Sequence, residues 1–153
     1  MKLRDLGEFN FINRISKAIK LSSQVVKGIG DDAAVLKYTK DKYLLFTTDI
    51  LLEGKHFYKG SSAGLVGKKA LSSNISDIAA MGGIPKFAVI SIGLPGYMNL
   101  KYADELYKGI RKVADKFSVD LVGGDTVGSN KIIINIALIG EVEIKNLALR
   151  SKA

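Results

Sequence analysis

The sequence predicts an α/β domain (α+β in its element order), a mixed β-sheet flanked by helices, on three observations. Helical and strand periodicities alternate along the chain. One helix-length segment, Gly64–Met81, is apolar or small nearly all round. Two strand-length segments, Phe87–Leu94 and Ile132–Ile139, lack a polar face. With 153 residues, 47% of them hydrophobic, one compact domain with a real core is the expectation.

Each element has its own reason. Residues 8–20 place Phe9, Ile12, Ile15 and Ile19 at helical spacing, with Asn13, Arg14 and Lys17 between them. Gly28-Ile-Gly-Asp-Asp32 breaks regular structure, and Ala33–Lys37 is a short apolar strand. Tyr43–Ile50 is rich in strand formers. The helix at Gly64–Met81 carries only Lys68, Lys69 and Asp77 as charges, and Gly82-Gly83 ends it. Pro85 precedes the strand Phe87–Leu94. Residues 99–117 form the clearest amphipathic helix, with Leu100, Ala103, Leu106, Ile110, Val113 and Phe117 on one face. A strand at Val119–Val122, a glycine turn and a last strand at Ile132–Ile139 complete the order α-β-β-α-β-α-β-β. The two-sided apolar strands require helices on one face and either another sheet or a partner copy on the other.

Composition excludes several classes. Cysteine is absent, so no disulfide, thiolate nucleophile or cysteine-ligated metal site is available. The N-terminus has no signal-like apolar core, and no greasy run is long enough to cross a bilayer. No membrane partner and a cytoplasmic location are expected. The net charge of +8 raises the question of nucleic acid, but the lysines are dispersed and no stacking or finger module accompanies them. A solvated, lysine-rich surface explains the charge better, and no nucleic-acid partner is expected.

The aspartates carry the chemistry. Asp31 and Asp32 lie in GIGDDAAV, Asp49 follows Thr47 and Thr48 on an apolar strand, and Asp125 follows Gly123-Gly124. Asp77 sits inside a helix whose i±3 and i±4 positions, Ser73, Asn74, Ala80 and Met81, offer no cation. Such a carboxylate is costly to desolvate unless it is paired or binds a cation. Two readings stand: Asp77 caps a backbone segment or meets a distant lysine, or it shares a metal cluster. Magnesium uses a few carboxylates together with phosphate oxygens and water, and several such ions would neutralise an ATP tail. Gly28, Gly30, Gly123 and Gly124 permit turns whose N–H groups face an anion, a weak signal singly. GIGDD is neither a dinucleotide fingerprint nor a Walker loop. His56, the only histidine, cannot build a multi-histidine zinc site. A lone histidine is usually a surface or satisfied core residue, although a loop after Asp49 can return it over a phosphate. Tyr107 can pack at its helix surface or abut a base.

Four motifs in order, GIGDDAAV, TTDILLEGKHF, NISDIAAMGGIP and LVGGDT, resemble thiamine-monophosphate kinase. That family belongs to a wider group with aminoimidazole ribonucleotide synthetase, selenophosphate synthetase and a hydrogenase-maturation enzyme. The resemblance covers roughly Gly7 through Ala153. It implies ATP-dependent conversion of thiamine monophosphate to thiamine diphosphate by direct phosphoryl transfer, assisted by several Mg2+ ions. No covalent enzyme intermediate forms, and no side chain is assigned as acid, base or nucleophile. Matched residue by residue, it makes Asp31, Thr47, Thr48, Asp49, Asp77 and Asp125 magnesium ligands. It places Gly124, Asp125, Arg150 and, less securely matched, Tyr107 at ATP, and His56 at the thiamine substrate.

The implied fold is the family's N-terminal domain, whose sheet dimerises into an eight-stranded barrel in a homodimer. The expected organisation is residues 1–145 as the ATP- and magnesium-binding domain and 146–153 as the start of a connection to a C-terminal domain, missing or separately encoded. That domain would supply a further aspartate, the rest of the substrate pocket and an aromatic lid. The alternatives are another ATP-using enzyme of the wider group and a non-catalytic dimeric nucleotide-binding module.

Overall fold

The three eleven-residue strands pair with one another at the centre of the sheet. The computed structural model describes residues 2–152. Its elements are α1 (Leu3–Leu6), α2 (Glu8–Ser16), β1 (Val25–Lys27), β2 (Ala34–Lys37), β3 (Lys42–Leu52), α3 (Ala63–Ala80), β4 (Ile84–Leu94), α4 (Leu100–Phe117), β5 (Asp120–Gly128) and β6 (Ile133–Glu143), followed by two short 3-10 turns. They build one six-stranded mixed sheet in the order β1-β2-β3-β6-β4-β5. β6 lies between β3 and β4, antiparallel to both, and β3 is paired along its whole length, from Lys42↔Glu143 to Leu52↔Ile133. α4 is the crossover that makes β4 and β5 parallel neighbours.

Alternation along the strands sorts residues to two unlike faces. Leu45, Thr47, Leu51, Ala88, Ile90, Ile92, Ile134, Ile136 and Leu138 are buried on the face that α3 covers. Phe46, Ile50, Phe87 and Val89 stand exposed on the other. α4 packs on α3 so closely that a Cβ at Gly67 would lie 2.1 Å from the Leu106 carbonyl oxygen. The near-absence of charge in α3 has this cause, since the helix is clasped between the sheet and α4.

Four expectations change. The sheet is not closed into a barrel: it is open, with β1 and β5 as unpaired edges. Closure would require those edges to hydrogen-bond, but β1 has three residues and an irregular register, and β5 pairs only with β4. The eight-stranded barrel is therefore replaced by a six-stranded open sheet within one chain. The glycine turn after Val122 does not exist either, because Gly123-Gly124-Asp125-Thr126 continue β5. A Cβ at Gly124 would sit 1.8 Å from the Ile90 carbonyl oxygen, so glycine there lets two backbones meet. The helix expected over residues 8–20 is α2, which stops at Ser16 and buries no side chain. β1, too short to show periodicity, was not foreseen.

Candidate functional site

Three separate stretches meet over the C-terminal half of α3. The 28–33 turn is pinned there because the Ala33 N–H donates to Met81 Sδ at 3.2 Å, in a buried contact. Thr47, buried on the helix side of β3, places Oγ1 2.8 Å from Asp77 Oδ2 and 3.1 Å from the Asp32 carbonyl oxygen. A hydroxyl has one proton to donate, and the shorter contact to the carboxylate takes it. The chain after β6 returns to the same place, as the Ala148 N–H donates to the Met81 carbonyl. Two residues on, the Arg150 N–H donates to Asp31 Oδ1 at 3.3 Å, and its guanidinium pairs with Asp32.

The result is a cluster of carboxylates short of positive charge. Burial pushes the Asp77 carboxyl above its ordinary value; the hydrogen bond from Thr47 opposes that, and the charges of Asp49 and Asp32 add to it. Arg150 pulls weakly the other way. The Asp31 side chain is only 1% exposed, and its Oδ2 has no hydrogen-bond partner, with Lys27 Nζ 3.9 Å away. A desolvated carboxylate oxygen so placed is stabilised by a cation at that point. Among the described residues, no three histidine, aspartate or glutamate side chains are grouped to hold a metal ion alone. The donors gathered at the cluster are oxygens, which suits a hard cation that keeps water and phosphate oxygens in its shell, the habit of Mg2+.

Not every expected residue comes to this place. Thr48 points to the opposite sheet face, where its hydroxyl lies 3.0 Å from Asn135 Oδ1 and 3.1 Å from the Ile136 carbonyl oxygen. Asp125 pairs in register with Ser91, which is itself opposite Asn135, so Asp125 also belongs to the uncovered face. It is exposed, and its Oδ1 accepts from the Thr126 N–H at 2.9 Å. Gly124 lies beside it at the sheet edge. Tyr107 is half-buried against the core on α4, and no described contact links it to the carboxylates. The Arg150 guanidinium is found on the Asp32 carboxylate.

His56 follows directly after β3. The Leu52 N–H donates to its Nδ1 at 2.9 Å, which leaves Nε2 as the protonated, donating nitrogen of the neutral ring. Its carbonyl accepts from Lys69 Nζ at 2.7 Å. Lys69 and Asp77 are two turns of α3 apart, about 12 Å along the axis, so the histidine lies at the other end of the site from Asp77. A cavity of about 410 Å3 between the N-terminal ends of α3 and α4, lined by residues including Ser62, Asn99, Lys101 and Tyr102, contains none of these residues.

The chain matches the family described as AIR synthase related protein, N-terminal domain, over residues 30–142. It belongs to that family. Among curated members, the thiamine-monophosphate kinase of Aquifex aeolicus (strain VF5) is 41% identical over 143 residues, which is 94% of this chain and 45% of that protein. The thiamine-monophosphate kinase of Bacillus subtilis (strain 168) is 39% identical over 150 residues, 97% of this chain and 46% of its own. A solved complex of AaThiL with AMPPCP and TMP superimposes with a TM-score of 0.86 at 41% identity, covering 94% of this chain and 44% of that one. The chain thus spans less than half the length of these relatives.

Within this AIR synthase related domain, residues beyond the predicted site set stand at or beside the cluster. Asp32, noted with Asp31 but given no role, supplies the carbonyl near Thr47 and the partner of Arg150. Asn74 lies one turn before Asp77 and is fully buried. Its signal was visible as an amide inside a helix built mostly of small and apolar residues.

Proposed function

We propose that this chain is the magnesium- and nucleotide-binding half of a thiamine-monophosphate kinase. Such an enzyme moves the terminal phosphoryl group of ATP onto the phosphate of thiamine monophosphate. The observation that carries this reading is the convergence of Asp31, Asp32, Thr47 and Asp77, within the field of Asp49, on one partly desolvated patch where a buried carboxylate oxygen has no hydrogen-bond partner. Support comes from relatives bearing that activity and from the likeness to a complex containing AMPPCP, an ATP analogue, and TMP.

Asp31, Asp49 and Asp77 would hold Mg2+, with Thr47 fixing the Asp77 carboxylate through its hydroxyl. When bound, the ions supply charge neutralisation for the transferring phosphoryl group. The chain's own residues then have positional work. His56, locked by the Leu52 N–H, presents Nε2–H to a substrate phosphate. Arg150, displaced from Asp32, meets the nucleotide phosphates, and Gly124 and Asp125 meet the nucleotide from β5. Thr48 would contribute through its main chain, and Tyr107 through the edge of its ring. A homodimer is part of the proposal, since the exposed apolar sheet face offers a second copy a surface. So is a C-terminal domain following residues 146–153, given the length of the relatives.

Calorimetric titration of AMPPCP into the chain, with Mg2+ and with EDTA, tests the reading. Magnesium-dependent uptake that Asp49→Asn removes is the expected result. Equal binding in EDTA would sink the assignment. Thiamine diphosphate formation is expected when the C-terminal half of a relative is added.

A further inference from the structure

α3 holds one polar side chain that no role above explains. Asn74 is 0% exposed, on a helix face otherwise built from Ala70, Leu71 and Ile78. Its Nδ2 donates to the Ala70 carbonyl at 3.1 Å. That contact fixes the amide orientation, because the amide oxygen turned to the same carbonyl would set acceptor against acceptor. Oδ1 is therefore the atom left without a hydrogen-bond partner. Leaving a buried polar atom unpaired costs about 1–3 kcal/mol, and leucine would fill similar space without that cost.

The only other buried side-chain atom in this condition, among the described residues, is Asp31 Oδ2. Both atoms are oxygens that accept and cannot donate. Asp31 Oδ2 has Lys27 Nζ 3.9 Å away; Asn74 Oδ1 has no hydrogen-bond partner among the described residues, and a cation would satisfy it.

The packing shows where Asn74 lies. α3 and β3 run in opposite directions: Ile78 and Leu45 meet over Gly83, Asp77 meets Thr47, and Lys69 meets the carbonyl of His56 beyond the strand's end. Asn74 is one turn back from Asp77, about 4.5 Å along the axis. The next helix-side residue of β3 after Thr47 in that direction is Asp49, whose charge already reaches Asp77.

We infer that Asn74 Oδ1 is a further oxygen ligand, direct or through one water, of the divalent cation held by Asp49 and Asp77. The inference rests on the metal reading proposed above. A neutral amide adds a fixed dipole to the site without adding another charge to a cluster already crowded with carboxylates. It also explains why an unpaired amide occupies a position that leucine would fill at less cost.

The test compares the intact wild-type chain with Asn74→Leu and Asn74→Asp. Mn2+ binding is followed by electron paramagnetic resonance with AMPPCP present, and thermal melting is followed with and without Mg2+. Asn74→Leu is expected to melt at or above the wild-type temperature without metal, yet to bind Mn2+ at least tenfold more weakly. Asn74→Asp is expected to melt lower without metal and to recover on adding Mg2+. Mn2+ affinity of Asn74→Leu within twofold of wild type, in a wild type that binds the metal, overturns the inference and leaves the metal reading standing. A wild type that binds no metal overturns both. Should the leucine variant not fold, the aspartate variant decides, and failure of Mg2+ to restore its melting temperature counts against the ligand role.

Discussion

The carboxylate cluster and the glycine–aspartate stretch of β5 come from motifs of equal clarity, but the fold gives them opposite settings. Asp31, Asp77 and Thr47 lie on the helix-covered side, held by α3, the 28–33 turn and the returning chain. Gly123, Gly124 and Asp125 lie in an edge strand with Val122 through Gly128 exposed. One region is over-determined by the core and contains charges the core must tolerate. The other is held by its backbone, and its side chains face outward. At the first, much of the desolvation is incurred on folding and does not fall on binding; at the second, desolvation and every contact come when the ligand arrives.

The largest expected effect breaks the second region at its backbone. Gly124→Ala brings a Cβ to 1.8 Å from the Ile90 carbonyl oxygen, which belongs to a paired strand and cannot move aside alone. A loss of about 3 kcal/mol is expected, near the upper end for steric insertion. Gly123→Ala, whose Cβ would meet only Val89 Cγ1 at 4.0 Å, is the matched control. Its melting temperature should stay close to wild type. Equal destabilisation of the two variants would show that β5 is not packed as described.

The next effect belongs to the first region and has a sign. The folded pKa of Asp77 lies above 3.8, chiefly through burial, so the folded state holds the proton more tightly than the unfolded one. The contribution of Asp77 to the stability of the metal-free chain is therefore complete below 3.8 and is lost as pH rises through the raised value. Asp77→Asn should remove that fall and melt higher than wild type at neutral pH without metal. Mg2+ should raise the melting temperature of wild type and not of the variant. A wild-type melting profile that climbs steadily across the same range would contradict the environment assigned to Asp77.

Asp125→Asn should behave in the reverse manner. Exposed and away from buried charge, it should change metal-free stability by less than about 0.5 kcal/mol. Mg-AMPPCP affinity should nevertheless fall, because β5 is the proposed nucleotide edge. Unaltered affinity in calorimetry would remove β5 from the site.

The same contrast explains what was legible in the sequence. α4 announces itself through periodicity, α3 through being apolar or small nearly all round, β3 through its strand formers, and Asp77 through being the one acid in a helix whose other charges are Lys68 and Lys69. The convergence of Asp31 and Asp77 follows, since both border apolar segments that must pack. Which face a strand residue occupies depends on register, and a single-residue slip reverses it. Alternation alone puts the side chains of Thr47 and Thr48 on opposite faces, but which of the two meets α3 was not separable beforehand. Gly123-Gly124 reads as a turn from composition, whereas close approach to Ile90 is what requires glycine at 124 within a strand. Sheet closure depends on pairing between edges and leaves no local mark on the chain.

Arg150→Ala links the two settings and carries the smallest change in stability. Its guanidinium is 64% exposed, so losing the pair with Asp32 should cost less than about 1 kcal/mol in the metal-free chain. In the first region Arg150 acts as a competing cation beside Asp31 and Asp32. Its removal should therefore strengthen binding of Mn2+ alone. Toward a nucleotide the same side chain is an attractive group, and its removal should weaken AMPPCP binding at saturating metal. Opposite signs for the two ligands distinguish an exchangeable counter-ion from a structural tie. Parallel weakening of both, at an unchanged melting temperature, would show that Arg150 does not leave Asp32 when the nucleotide binds.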